Sequence, residues 1–174
     1  MQLTGKQIVE QGIITNVCEE GIQQQGVDVC VKSISEVGVG YHELNYGYVP
    51  AKGKTIAPKT THLYPIRNAG GNEAWELPVG YYELEFEEGC KIPNHAAMYF
   101  KTRSSLVRCG AEVISGQFDA GFETENAGAF LKVNIPITIE KGARVAQAIV
   151  TETYEVNEEH MYNGQWQGDK QRQA

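Results

Sequence analysis

Apolar residues in this chain recur in short runs or at every second position, not at helical spacing. Residues 27–31, 80–86, 96–101, 112–118, 129–134 and 143–153 each gather such positions. Gly, Pro, Asn or Asp separates them, which is the pattern of short strands joined by turns. One stretch differs: residues 5–14, Gly-Lys-Gln-Ile-Val-Glu-Gln-Gly-Ile-Ile, predict a short helix that turns Ile8 and Val9 inward and stops at Gly12. A further helical turn is expected over 104–109, where a serine can cap first amides that face an anion. The pattern predicts an all-β sandwich or barrel with few short helices. Over residues 45–74 the alternation is weak and Gly, Pro, Thr and Lys intrude, so loops and hairpins are expected. Tyr41, Tyr46, Tyr48 and Tyr64 in and around that region can stack on a base, although tyrosine is also a favoured strand residue and packing is the plainer role.

Length and charge narrow the picture. The 174 residues fit one domain, residues 1–174, with no linker-like composition break. A net charge of -7 excludes a general nucleic-acid surface, so any polyanionic ligand must find a local cluster of Arg and Lys. No apolar run reaches the roughly 18 residues that cross a bilayer, and the N-terminus lacks a signal peptide's basic-then-apolar order, so a soluble cytoplasmic protein is expected. Cys18, Cys30, Cys90 and Cys109 show no C-x-x-C spacing and read as reduced core thiols. His42, His62, His95 and His160 show no zinc spacing, and the His-x-Glu with Pro-Cys-x-x-Cys pattern of zinc deaminases is absent.

The densest chemistry runs from Arg103 to Phe122, Arg-Ser-Ser-Leu-Val-Arg-Cys-Gly-Ala-Glu-Val-Ile-Ser-Gly-Gln-Phe-Asp-Ala-Gly-Phe. Arg103 and Arg108 carry rigid forks of donors suited to phosphate oxygens, and Ser104 and Ser105 add hydroxyl and backbone donors. Asp119 follows an apolar run, with a glycine close behind that lets backbone approach a ligand and an aromatic, Phe122, that can lie against a sugar.

This stretch resembles the central motifs of the dUTPase and dCTP deaminase superfamily. Three further segments agree: the opening Met-Gln-Leu-Thr-Gly-Lys-Gln-Ile with Gly21-Ile-Gln-Gln-Gln-Gly-Val-Asp-Val29, then Gly142-Ala-Arg-Val-Ala-Gln147, and lastly Tyr162-Asn-Gly-Gln-Trp-Gln-Gly168. The resemblance implies a distorted β-barrel of the β-clip type, a homotrimer whose sites draw on more than one subunit, and a pyrimidine deoxynucleoside triphosphate as ligand. It implies that Asp119 contacts the 3'-hydroxyl and orders the attacking water, while Phe122 excludes a 2'-hydroxyl. Arg103, Ser104, Ser105 and Arg108 would hold the triphosphate, Ser104 and Arg108 acting in catalysis. The segment Ile114, Ser115, Gly116 and Gln117 would read the base through its backbone, and Gln147 would meet a phosphate oxygen. Arg144 reads as a surface or interface residue. Residues 160–174 form a closing arm in which Tyr162 or Trp166 can replace the phenylalanine that dUTPases stack on uracil, with Lys170 and Arg172 reaching the phosphates. Mg²⁺ would arrive with the triphosphate and have no direct protein ligand; Asp28 would contact its waters or orient an arginine.

The resemblance leaves the reaction open. Metal-free dCTP deaminases carry a glutamate on the strand after Asp119, and here Ala127-Gly-Ala-Phe-Leu-Lys-Val-Asn places Lys132 in that position. A lysine serves poorly as a base and later donor at neutral pH. Hydrolysis of dUTP to dUMP and pyrophosphate is therefore expected. The alternatives are a dCTP deaminase, with or without hydrolysis, in which Glu123 or Glu125 replaces the missing acid, and a non-catalytic member that senses nucleotide or binds a protein. The opening segment, the arm and Val113, where many dUTPases carry asparagine, are deaminase-like.

Overall fold

The computed structural model describes residues 1–38, 59–164 and 166–168. Tyr41, His42, Tyr46, Tyr48, Lys170 and Arg172 lie outside the described residues. Thr4 caps helix α1 (Gly5–Glu10): its side chain accepts from the Gln7 N–H, and the Gln7 side chain takes the Thr4 N–H at 2.9 Å. Ile8 is fully buried. The helix ends at Glu10 and, as expected, Gly12 marks the stop: it enters the left-handed region at φ 66° and redirects Ile13 and Ile14 into the core.

The rest is strand. In chain order come β1 (Ile14–Thr15), β2 (Ile22–Gln23), β3 (Gly26–Val37), β4 (Thr60–Leu63), β5 (Ile66–Arg67), β6 (Glu73–Leu77), β7 (Gly80–Phe86), β8 (Gly89–Lys91) and β9 (Ala96–Thr102). A short helix, α2 (Ser104–Arg108), interrupts before β10 (Ala111–Ile114), β11 (Glu123–Thr124), β12 (Gly128–Val133), β13 (Ile137–Glu140) and β14 (Arg144–Glu152). The main sheet runs β10-β12-β7-β3-β14-β9, with β2 and β4 also paired to β3. Two three-stranded sheets, β1-β8-β11 and β13-β6-β5, flank it.

Strand β3 is the spine. Its first half pairs with β14 and its second with β7, and the register slips between Val31 and Ser33. That bulge resets the inward phase, so Val27, Val29 and Val31 are followed inward by Ile34. The core they enter is completed by Leu84, Phe86, Met98, Phe100, Leu131, Ala146 and Ala148.

Side chains close the barrel between its end strands. Thr102 Oγ1 on β9 donates to Val113 O at 3.1 Å and accepts from Val113 N–H at 2.9 Å. Ser115 Oγ accepts from Phe100 N–H at 3.1 Å, and Met98 and Phe118 exchange backbone bonds of 3.0 and 2.7 Å. The strand expected over 112–118 therefore ends at Ile114; serine and threonine hydroxyls carry the seam until Phe118 returns to it. No helix among the described residues is long and apolar enough to cross a membrane.

Candidate functional site

A cleft of about 530 Å³ opens on the outer face of β3, β14 and β9, walled by α2 and β2. Gln23, Asp28, Lys101, Thr102, Arg103, Ser104, Val107, Arg108 and Gln147 line it. Strand register explains the set: Asp28 lies opposite Gln147, and Gln147 lies opposite Lys101, so the three form one row across three strands. Arg103 N–H continues the ladder to Val145 O at 3.0 Å before the chain turns into α2, which buried Leu106 anchors. Beyond α2, Gly110 at φ 81° makes the turn into β10 against the Ile135 side chain. The expected serine cap is not formed. Arg103 occupies the cap position without a side-chain bond, while Ser104 and Ser105 are the first helical residues and are exposed.

Asp28 organises the cleft floor. It is 1% exposed, with Arg103 Nε at 3.2 Å and Arg144 Nη1 at 3.5 Å from Oδ2, and Gln147 Nε2 donating to Oδ1 at 3.3 Å. Burial pushes its carboxyl above the usual range; the two guanidinium groups and the Gln147 amide oppose that shift without cancelling it. Oδ2 accepts no hydrogen bond despite its charged neighbours. Arg103 Nη1 is further tied to Arg144 O at 3.1 Å, and Arg144 Nη1 to Glu20 O at 2.7 Å. Arg144, expected at the surface or an interface, is thus a half-buried partner of Asp28. Arg103 is held as part of the floor, whereas Arg108 is exposed and, among the described residues, has no carboxylate partner.

Asp119 lies elsewhere. The cleft lining contains neither it nor Ile114, Ser115, Gly116, Gln117, Phe122, Tyr162 or Trp166, and Ser105 is also absent from it. The carboxylate is exposed, and Gln117 Nε2 donates to its Oδ1 at 2.8 Å. Its loop is fixed from behind: Gly121 N–H meets Ile92 O at 2.9 Å, and Ile92 N–H meets Phe122 O at 2.9 Å. The arm folds over this loop. Tyr162 N–H donates to Ala120 O at 2.7 Å, Gln167 Nε2 to Gly121 O at 2.8 Å and Gly168 N–H to Glu123 O at 2.9 Å. Gly121 sits at φ 91°, and a Cβ there would come within 2.9 Å of Met161 Cβ, so the approach needs a glycine. Phe122 stands edge-on between Phe118 at 5.1 Å and Tyr162 at 5.4 Å, the last links of a ladder that starts at Phe86 and Phe100. Trp166 donates its backbone N–H to the Tyr162 hydroxyl at 3.1 Å.

On β12, Lys132 faces Glu112 of β10 across the ladder and pairs with it at 3.4 Å. Glu123 pairs with Lys91 at 3.6 Å on β11, away from that position, and Glu125 is exposed. A second buried carboxylate, Glu88, accepts from Cys30 N–H at 2.8 Å; burial raises it too. Burial, with Glu88 and Cys18 nearby, pushes the Cys30 thiol up to about 12. Of the four cysteines Cys90 alone is buried, and Cys18 and Cys109 are exposed, so "core thiol" describes one of them. Among the described residues no group of His, Cys, Asp or Glu could hold a metal ion by itself. Sequence reasoning passed over Lys101, Thr102 and Gln23. The signal for Lys101 lay in its strand phase, two residues before Arg103, whose N–H extends the same ladder.

The chain resembles known proteins in sequence and in fold. The deoxyuridine 5'-triphosphate nucleotidohydrolase of Methanocaldococcus jannaschii is 32% identical over 154 residues, 88% of this chain and 91% of its own length. A protein of Aeropyrum pernix named "Probable deoxyuridine 5'-triphosphate nucleotidohydrolase" is 29% identical over 171 residues, 97% of this chain and 99% of its own. The crystal structure of 2'-deoxycytidine 5'-triphosphate deaminase from Agrobacterium tumefaciens superposes with a TM-score of 0.62 at 16% identity; the match covers 90% of this chain and half, 50%, of that one, and it speaks for the fold. The family model described as dCTP deaminase-like matches residues 2–153, and the chain belongs to that family.

Proposed function

We propose that this protein is a dUTP diphosphatase that works as a homotrimer, with the cleft of one subunit holding the triphosphate and Asp119 of a neighbour reading the sugar. Each chain would be a single domain with its arm, acting on free nucleotide in the cytoplasm. In this reading Ser104, Arg108 and Gln147 bind phosphate oxygens, and Arg103 keeps its place because Asp28 pins it. Asp119, oriented by Gln117, accepts a proton from a water that attacks the α-phosphorus; the α–β bond breaks and pyrophosphate leaves with the electron pair. The backbone of Ile114 to Gln117 meets the base beside Phe122, and the arm with Tyr162 and Trp166 excludes bulk water. Mg²⁺ would be bound by the triphosphate, and its role is to neutralise charge there. Asp28, the sole carboxylate lining the cleft, has its Oδ2 buried against Arg103 and Arg144, so of its two expected roles this reading keeps the orienting of an arginine.

One observation carries the choice of reaction. In a chain that matches dUTP nucleotidohydrolases along most of its length, β12 supplies no carboxylate, and Lys132 is committed to Glu112. Incubation with dUTP or dCTP plus Mg²⁺, followed by chromatography, tests it. The expected products are dUMP and pyrophosphate from dUTP. Ammonia from dCTP would make the protein a deaminase, and inertness to both would leave a nucleotide sensor.

A further inference from the structure

We propose that Lys101 is a phosphate-binding residue of the cleft and sets its preference for a triphosphate over a monophosphate; the proposal rests on the reading of the cleft as the phosphate site. Strand β9 alternates, with Met98 and Phe100 buried and Tyr99 and Lys101 turned out. Turned outward at this point of the barrel, Lys101 lies along the cleft wall.

Charge accounting separates it from its neighbours. Of the three cations lining the cleft, Arg103 is committed to Asp28 and to Arg144 O. Arg108 and Lys101 are the two with no carboxylate partner among the described residues, although most other lysines there are paired: Lys6, Lys32, Lys91, Lys132 and Lys141 all meet a glutamate within 4 Å. In a chain of net charge -7, a lysine left unpaired in a concave site is available to an anion. Gln147 stands between Lys101 and Asp28 in the cross-strand row and bonds to Asp28, so the acid of the floor is shielded from Lys101 and does not quench it. Arg108 and Lys101 approach the cleft from different elements, α2 and β9. A chain of phosphates can meet both cations at once through different phosphate groups, which a single phosphate does not offer. The flexible ammonium is a point charge suited to a terminal phosphate, where bidentate geometry is not required.

Lys101→Met, Lys101→Arg and the control Lys141→Met can be compared with wild type by calorimetric titration. The probes are inorganic tripolyphosphate, the non-hydrolysable α,β-imido analogue of dUTP, and dUMP, with melting curves to verify folding. Lys101→Met should weaken tripolyphosphate and the imido analogue about tenfold, as expected for one charge-assisted contact, and leave dUMP within about twofold. Lys101→Arg should restore most of the affinity, and Lys141→Met should behave as wild type. Equal binding of the imido analogue by Lys101→Met and wild type would overturn the role of Lys101 while leaving the nucleotide reading intact. Lysine-dependent binding of tripolyphosphate by a protein that ignores the deoxyuridine analogue would uphold Lys101 and sink the nucleotide reading.

Discussion

The cleft and the Asp119 loop are built by opposite means. The cleft is arranged by charge: a carboxylate buried under two guanidinium groups fixes Arg103, while Arg108 and Lys101 have no carboxylate partner among the described residues. The Asp119 loop is arranged by packing: backbone bonds to Ile92, an aromatic ladder behind Phe122 and an arm laid across Ala120 to Glu123. The first, on the proposed reading, would grip an anion, and its integrity should depend on pH and salt. The second positions one exposed carboxylate and depends on the contacts that the arm lays across its loop. Within one chain the two do not share a cavity, which is the arrangement expected if a complete site needs a second subunit.

The largest effect should come from the packed region. Asp119→Asn keeps the loop and the Gln117 contact but removes the proton acceptor, so kcat for dUTP should fall by about 10²- to 10⁴-fold while the affinity for the imido analogue holds. Weakened binding of the analogue with kcat unchanged would mean that Asp119 serves binding alone. Truncation after Met161 should cost about 10²-fold in kcat through a misplaced loop. The same truncation should cost stability only about 1–3 kcal/mol, from the Phe122–Tyr162 ring contact and the arm's hydrogen bonds to Ala120, Gly121 and Glu123. A fall in melting temperature that accounts for the lost activity would contradict a lid.

In the charged region the order reverses. Arg103→Ala should destabilise the fold by about 3 kcal/mol, because Asp28 stays buried with Arg144 and Gln147 as its remaining partners. Arg108→Ala should change stability by no more than about 0.5 kcal/mol, yet weaken triphosphate binding. Chemical denaturation distinguishes the two. A further effect is in pH dependence. Asp28 and Glu88 are both raised by burial, from 3.8 and 4.5, so between each ordinary value and the raised one the folded protein holds a proton that the unfolded chain has released. Stability must then fall as pH rises through that window, by up to about 1.4 kcal/mol per pH unit for each group, and level off above it. Glu88→Gln keeps an acceptor for Cys30 N–H and should flatten the Glu88 part of the slope. An unchanged slope would show that Glu88 is not raised.

Strand and turn chemistry made much of the fold legible. β7 spans the residues expected, and β9, β12 and β14 agree to within about one residue at each end. What escaped had physical causes. The bulge after Val31 breaks the period of two, so the second half of β3 was hidden, and β6 and β13 are short and bordered by Gly, Pro and Asn. The cleft residues Ser104, Arg108 and Gln147 came from motif chemistry. Lys101 and the Asp28 partnership of Arg144 did not, because both depend on which residues stand opposite each other on neighbouring strands, and register is set by the whole barrel.

The most direct test of a site divided between subunits is complementation. Asp119→Asn and Arg108→Ala should each be nearly inactive on dUTP alone. Unfolded together and refolded as a mixture, they should regain measurable turnover, since some trimers will pair an intact cleft with an intact Asp119 from the neighbour. A mixture no more active than its separate parts, in trimers shown to contain both chains, would contradict the account.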